Sequence, residues 1–217
     1  MNNDIFALKK LKNPEVTTSM LMSVLNEYKD VRKKISILNK KCLIKSVKQG
    51  IYLINPEIGL RPYSKEILAN LIYGPSYVSL ESALSHYGFI PERVNTTTSV
   101  SFNRGRSFLT PVGSFEYHNI KSSIYSVGFT LKEIYNDVYC LYATPEKALL
   151  DFTHIKEAKG HFKNQKDYFN YIVDSYRMDL DAINNKISLK KLQIYSELYP
   201  FRHTRWFADE LTRKLIK

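Results

Sequence analysis

The chain has 217 residues, 44% of them hydrophobic and 24% charged, which is the composition of a folded protein of one large or two small domains and not of a disordered chain. It shows no apolar run of the roughly 18–20 residues that span a bilayer and no signal-peptide pattern, and its two cysteines, Cys42 and Cys140, are too few for a disulfide framework, so we expect a cytoplasmic protein. The formal net charge of +11 indicates a polyanionic partner, either nucleic acid or an anionic membrane surface.

The excess positive charge is concentrated near the start of the chain. Residues 1–55 contain eleven lysines and arginines against four aspartates and glutamates, which is a net charge of +7 in a quarter of the sequence. The surface that attracts a polyanion is therefore expected in this segment.

Two short helices are predicted first. Apolar side chains between Asp4 and Leu11 fall on one helical face, and Asn13-Pro14 ends this helix, because proline lacks a backbone donor and restricts the residue before it. The hydroxyl groups of Thr17–Ser19 can cap a second helix, which extends to about Leu25.

The third predicted helix, from about Lys29 to Lys41, has the clearest pattern. Its apolar residues fall at i, i+4, i+7 and i+11 and form one stripe: Val31, Ile35, Leu38 and Cys42. The opposite side carries basic and hydrogen-bonding residues: Lys29, Lys33, Ser36 and Lys40, flanked by Arg32 and Asn39. This helix is therefore predicted to have an apolar face and a cationic face.

Two β-rich segments follow, Leu43–Val47 and Ile51–Ile54, and Lys48-Gln49-Gly50 joins them in a tight turn. Two helices, a turn, a basic helix and a basic hairpin are the order of a winged helix-turn-helix, in which the third helix enters the major groove of DNA and the hairpin contacts phosphates. We expect eight residues to contact the groove and the phosphates: Lys29, Arg32, Lys33, Ser36, Asn39, Lys40, Lys45 and Lys48. Two other interpretations stay open, in which the cationic face is simply solvated or the winged helix docks a protein partner.

The rest of the chain predicts a second domain, and the fold class is α+β. We place the winged helix-turn-helix at residues 1–58 and a mixed α/β domain, with a small, mainly antiparallel sheet and C-terminal helices, at residues 59–217. Its predicted helices are Tyr63–Tyr73, Ser79–Gly88, Thr144–His154, Gln165–Tyr176, Leu189–Leu198 and Thr204–Ile216. Its predicted strands are Thr97–Asn103, Phe115–Asn119, Ile124–Phe129 and Val138–Ala143.

Three segments are distinctive as a set: Gln49–Tyr52 at the end of the predicted winged helix, Tyr77–Pro91, and Ala143–Asp151. Together they resemble the AbiEi family of antitoxins and transcriptional regulators, which belong to abortive-infection toxin–antitoxin operons. The resemblance covers about residues 5–155. It implies a repressor that binds inverted repeats in the double-stranded DNA of its own promoter. It also implies a C-terminal domain that counters a nucleotidyltransferase-like toxin without a stable complex.

One predicted helix invites a chemical interpretation, because Glu146, Asp151 and His154 could serve an enzyme that acts on nucleic acid or on a nucleotide. The alternative is structural: Glu146 and Asp151 accept hydrogen bonds from backbone amides or pair with Lys147 or an arginine. No metal-ligand spacing and no glycine-rich phosphate loop occurs in the sequence. We therefore predict no enzymatic activity, no metal and no cofactor.

The last predicted helix carries a second basic patch around Trp206 and Phe207. Its cationic residues are Arg202, Arg205, Arg213, Lys214 and Lys217. We expect the aromatic rings to pack inward, whereas the arginines extend an anion-binding surface or face a partner.

Overall fold

The computed structural model describes residues 2–156 and 162–216, and Lys217 of the second basic patch lies outside them. The chain divides into two compact units. The first runs to Ile72 and includes Thr110–Val112, and the second comprises Tyr73–Leu109 and the described residues from Gly113 onward.

The first unit begins with three helices and contains a small antiparallel sheet. The helices are α1 (Asn2–Lys9), α2 (Thr18–Val24) and α3 (Val31–Lys40), and the strands are β1 (Glu15–Thr17), β2 (Ile44–Lys48) and β3 (Ile51–Ile54). The strand order is β1-β3-β2. A 3₁₀ turn (Pro56–Ile58) and α4 (Lys65–Ile72) complete the unit.

Local signals set the ends of these elements. Thr17 caps α2 by accepting a hydrogen bond from the Met20 amide, and Asp30 caps α3 by accepting one from the Lys33 amide. Cys42 is exposed and does not continue the buried stripe as the sequence predicted. The reason is that α3 ends at Lys40, after which the backbone of Cys42 takes a φ of 56° and leaves the helical path.

A buried salt bridge explains why the first unit extends beyond residue 58, where the sequence placed its end. Glu15 of β1 is buried, and its carboxylate accepts hydrogen bonds from both terminal nitrogens of Arg61, at 3.0 and 2.6 Å, and from the Ser64 amide at 2.6 Å. Residues that follow the 3₁₀ turn therefore satisfy a buried charge of the first unit. The first unit continues through α4 to Ile72.

The second unit contains a six-stranded mixed sheet. Its strands are β4 (Ser76–Val78), β5 (Thr97–Ser101), β6 (Arg106–Thr110), β7 (Gly113–Asn119), β8 (Phe129–Tyr135) and β9 (Val138–Ala143), in the order β6-β7-β5-β4-β9-β8. Its helices are α5 (Leu80–Tyr87), α6 (Ser122–Tyr125), α7 (Pro145–Ile155), α8 (Gln165–Ser175), α9 (Leu180–Asn184), α10 (Leu189–Ser196) and α11 (Arg202–Leu215). None of the helices in the described part of the chain is long and apolar enough to cross a membrane.

Two predictions for this unit were wrong. The sheet is larger than predicted and mixed, because β4 pairs with β9 and β5 with β7 in parallel, although β4–β5 and β8–β9 are antiparallel. The segment Ile124–Phe129 is not a strand. Its start closes the short helix α6, in which Ile124 is buried, and the strand begins only at Phe129, after Gly128 has turned the backbone with a φ of 80°. A short run of apolar and aromatic residues does not by itself distinguish a strand from a buried helical turn.

Candidate nucleic-acid interface

Helix α3 separates apolar from cationic side chains. Ile35 and Leu38 are buried in the core of the first unit. On the other side of α3 and immediately before it, six of the eight predicted contact residues are exposed: Lys29, Arg32, Lys33, Ser36, Asn39 and Lys40. The helix therefore presents to solvent a continuous surface of four cations and two hydrogen-bonding side chains.

Lys34, the neighbour of this surface, has a different role. Its ammonium group forms a 2.6 Å salt bridge with Asp4 of α1 and lies over the ring of Tyr28, whose hydroxyl also donates to Asp4. Burial alone would raise the pKa of Asp4, but the hydrogen bonds from Lys34 and Tyr28 outweigh it and lower that pKa. Lys34 therefore fixes α3 to α1 and is not part of the cationic surface.

Asn39 connects α3 to the hairpin. Its Oδ1 accepts a hydrogen bond from the backbone amide of Ser46 in β2 at 3.1 Å. The side-chain NH₂ group points away from this bond and keeps its donor capacity. Asn39 thus positions the hairpin relative to the helix, a role that the sequence did not reveal because the bond joins residues in two different elements.

The two lysines of the hairpin differ in their surroundings. Lys45 is exposed on β2. Lys48 is half-buried, and its Nζ donates to the carbonyl oxygen of Ile72, the last residue of α4, at 2.5 Å. Lys45 is therefore available to a ligand in the structure as it stands, whereas Lys48 would have to exchange this bond for a phosphate.

The residues of the enzymatic alternative lie in the second unit, and Asp151 is fully buried there. Its Oδ2 accepts hydrogen bonds from the hydroxyl groups of Tyr77 at 3.0 Å and Ser79 at 2.9 Å. Its Oδ1 accepts from the hydroxyl of Tyr199 at 2.7 Å and from the ammonium group of Lys147 at 2.9 Å. The predicted pairing of Asp151 with Lys147 is confirmed.

Lys147 is buried in the same cluster and is 1% exposed. Besides Asp151, it donates to the carbonyl oxygen of Ile124 at 2.9 Å and to the Tyr199 hydroxyl at 2.8 Å. Burial lowers the pKa of Lys147, and the opposing effect of Asp151 does not restore it. Burial and the Asp151 charge also raise the pKa of Tyr77 and Tyr199 well above the usual tyrosine value. The charges of Asp151 and Lys147 are thus neutralised within the protein.

The other two residues of the enzymatic alternative have partners of their own. Glu146 accepts a 2.7 Å hydrogen bond from the backbone amide of Ser188, as the structural alternative predicted. The ring of His154 stacks on Phe201, with 4.9 Å between the ring centroids. Within residues 2–156 and 162–216, no group of three or more histidine, cysteine, aspartate or glutamate side chains is placed to hold a metal ion.

Comparisons with known proteins identify the fold only. No protein-family model and no curated protein matches the chain. The crystal structure of the RV2827C protein from Mycobacterium tuberculosis is similar, with a TM-score of 0.65 at 15% sequence identity, over 99% of this chain and 76% of that chain. The similarity supports a mixed α/β fold with helices, a small antiparallel sheet and a larger mixed sheet.

Proposed function

We propose that the first unit is a winged helix-turn-helix that binds double-stranded DNA. In this proposal α3 enters the major groove and the β2–β3 hairpin is the wing. The order of elements supports it: α1, β1, α2 and α3 are followed by the hairpin, and β3 lies between β1 and β2 in the sheet.

The observation that carries the proposal is the cationic surface of α3. Lys29, Lys33 and Lys40 are exposed on the face opposite the buried Ile35 and Leu38. Lysines at such positions neutralise phosphates whatever the base sequence. Three side chains beside these lysines can donate hydrogen bonds to base edges: Arg32, Ser36 and Asn39, through its NH₂ group.

We further propose that the chain is the transcriptional repressor and antitoxin of an AbiE-like operon, which represses its own promoter and counters a nucleotidyltransferase-like toxin. The resemblance of three segments to the AbiEi family supports this. Two of those segments meet in the second unit, where Tyr77 and Ser79 of one donate to Asp151 of the other. Since these shared residues build the interior, they support a shared fold, and the two activities each need a direct test.

The test of DNA binding is the triple substitution Lys29→Gln, Lys33→Gln and Lys40→Gln. Each phosphate contact that is lost should reduce the slope of log K against log salt by about 0.9, so the variant should bind a promoter fragment more weakly and with a slope smaller by up to about 2.7. Fluorescence anisotropy with labelled fragments across a salt series measures both quantities, and an excess of scrambled duplex tests sequence preference.

A matched control replaces three exposed lysines elsewhere in the same unit: Lys9, Lys10 and Lys12. We expect this variant to change the affinity and the salt slope much less than the α3 variant does. If the α3 variant keeps the affinity and slope of the natural protein, α3 does not contact DNA. If promoter DNA is not bound at all, the DNA-binding proposal is refuted and the protein-docking interpretation takes its place as the one to test.

The antitoxin activity is tested by expression together with the nucleotidyltransferase-like toxin of the same operon. We expect growth to be restored by the natural protein. The α3 variant should also restore growth while it fails to repress a promoter reporter, because the two activities are assigned to separate units. Absence of rescue by the natural protein would refute the antitoxin role and leave the repressor role standing.

A further inference from the structure

The second unit contains a cationic cavity that the proposed function does not use. The cavity has a volume of about 470 Å³ and is formed by the beginning of α8 and one face of α11. Its lining includes Lys163, Asn164, Lys166, Trp206, Glu210 and Arg213. All of these residues belong to the second unit, so the cavity is independent of the α3 surface.

The charge of the cavity favours an anion. Lys163 and Lys166 are exposed, and the side chain of Arg213 is 67% exposed. Glu210 is the acid among the lining residues, but it is buried and its Oε2 accepts from Arg213 at 3.3 Å. Cations therefore dominate the accessible part of the lining, as phosphate groups require.

An aromatic surface borders the same cavity. Trp206 is the chain's single tryptophan, and it is half-buried on α11. The guanidinium group of the exposed Arg202 lies over one face of its ring, 4.8 Å from the centroid, so a base would stack on the other face or displace Arg202. Arg205, on the same helix, is also exposed. The site therefore offers both a stacking surface and positive charge. A ligand that carried only negative charge would use the cations but not the indole.

We propose that this cavity binds one nucleotide of a single-stranded nucleic acid. Lys163, Lys166 and Arg213 would hold the phosphates, and the base would stack on Trp206. The volume lies within the roughly 300–1,000 Å³ of small-ligand sites. Single strands are favoured over a duplex because the bases of a duplex are stacked on each other, whereas those of a single strand can stack on an aromatic side chain.

The experiment uses the full chain that carries the three α3 substitutions, so that binding by the first unit does not mask binding by the second. A single-stranded RNA of about 12 nucleotides, within the usual range of single-strand site sizes, is titrated while tryptophan fluorescence is recorded. Because Trp206 is the sole tryptophan, we expect quenching that saturates with the RNA. In anisotropy measurements with labelled RNA, Trp206→Leu should weaken binding about 5- to 150-fold, the range for loss of one stacked base, while Trp206→Phe should restore most of the affinity.

Two charge variants separate this cavity from the overall positive charge. Lys163→Gln with Lys166→Gln should weaken RNA binding and flatten its salt dependence, whereas the exposed pair on α10, Lys190→Gln with Lys191→Gln, should do neither. These side chains are exposed, so the variants are expected to fold even if Trp206→Leu does not, which circular dichroism will show.

Several outcomes would overturn the inference. Equal affinity for the RNA, a duplex of the same sequence and polyglutamate would show that charge alone drives binding and that an acidic protein surface serves as well. Equal affinity for adenosine monophosphate and the RNA would show that the site takes free nucleotides and not a strand. RNA binding without fluorescence quenching would place the bound strand elsewhere. Loss of DNA binding by the first unit would affect none of these readouts, because the α3 substitutions are present throughout.

Discussion

Replacing Asp151 by asparagine removes one negative charge from the interior of the second unit and leaves the size of the side chain almost unchanged. The carboxylate accepts hydrogen bonds from three hydroxyl groups and from the ammonium group of Lys147, which is 1% exposed. In the variant the buried ammonium group keeps only neutral partners. Removing one member of a buried ion pair costs about 3–5 kcal/mol, and we expect Asp151→Asn to lower the free energy of unfolding by this amount.

The measurement is urea denaturation followed by the fluorescence of Trp206, which lies in the second unit and reports its unfolding. The control is the double variant Lys147→Met with Asp151→Asn. It leaves no charge in the cluster and keeps an amide oxygen as an acceptor for the hydroxyl groups, so it should be more stable than Asp151→Asn although it changes more atoms. A loss of unfolding free energy below about 1 kcal/mol for Asp151→Asn would refute the reasoning, because it would show that water or a rearrangement of side chains solvates the Lys147 ammonium group. A catalytic Asp151, by contrast, would allow the variant to lose activity at unchanged stability.

The same variant should depend on pH in a defined direction. Burial lowers the pKa of Lys147, and without Asp151 nothing of opposite charge in the cluster counteracts this effect. The unfolded chain then binds more protons at Lys147 than the folded chain does, so the stability of the variant rises with pH. We expect its deficit relative to the natural protein to shrink as the pH rises towards the usual lysine pKa, by at most about 1.4 kcal/mol per pH unit. A deficit that stays constant as the pH rises would show that Lys147 does not lose its proton on folding, and it would contradict a pKa lowered by burial.

Three further substitutions follow from the contacts. Asp4→Asn should lower the free energy of unfolding by about 1.5–3 kcal/mol near neutral pH, because the carboxylate accepts hydrogen bonds from an ammonium group and a hydroxyl group. The pKa of Asp4 is lowered in the folded state, so this cost should vanish as the pH falls through that lowered value, which urea denaturation at decreasing pH measures. Asn39→Ala should lower the free energy of unfolding by about 0.5–1.5 kcal/mol and speed hydrogen exchange at the backbone amide of Ser46, which donates to Asn39. Unchanged exchange at this amide would contradict a positioning role for Asn39. Gly128→Ala should cost about 1–3 kcal/mol in a thermal melt, because the position has a φ of 80° and the added Cβ would meet Lys147 at 3.0–3.1 Å; an unchanged melting temperature would rule out this crowding.

The first unit could be predicted in most respects because its signals are local. The spacing of Ile35 and Leu38 identifies the buried face of α3, and Gly50, with a φ of 83°, provides the hairpin turn. The predicted helix from about Lys29 to Lys41 exceeds the observed Val31–Lys40 by two residues at the start and one at the end. The strand β1 was missed because three residues are too few for an alternation pattern.

The sheet of the second unit could not be predicted in the same way. The parallel neighbours β4 and β9 are separated in the chain by four strands and two helices, and no local pattern specifies which strands meet. The same limit applies to single side chains. Lys33 and Lys34 are adjacent in sequence, yet the first is exposed and the second is bound to Asp4, and only the packing of α1 on α3 distinguishes them.

The net charge of the exposed surface could be predicted from the sequence, whereas the role of an individual lysine could not. Residues 1–55 expose nine lysines and arginines and two acids, Glu27 and Asp30, a surplus of seven that equals the net charge of the whole segment. The two values agree because the less exposed charges of the segment cancel: Lys34 and Lys48 balance Asp4 and Glu15. Burying an unpaired charge costs several kcal/mol, so each of the two buried carboxylates has a cationic partner. Lys34 enters with Asp4, and the buried Glu15 is matched by Arg61. Substituting Lys34 should therefore destabilise the unit, whereas the substitutions that change attraction to a polyanion are those of the exposed cations.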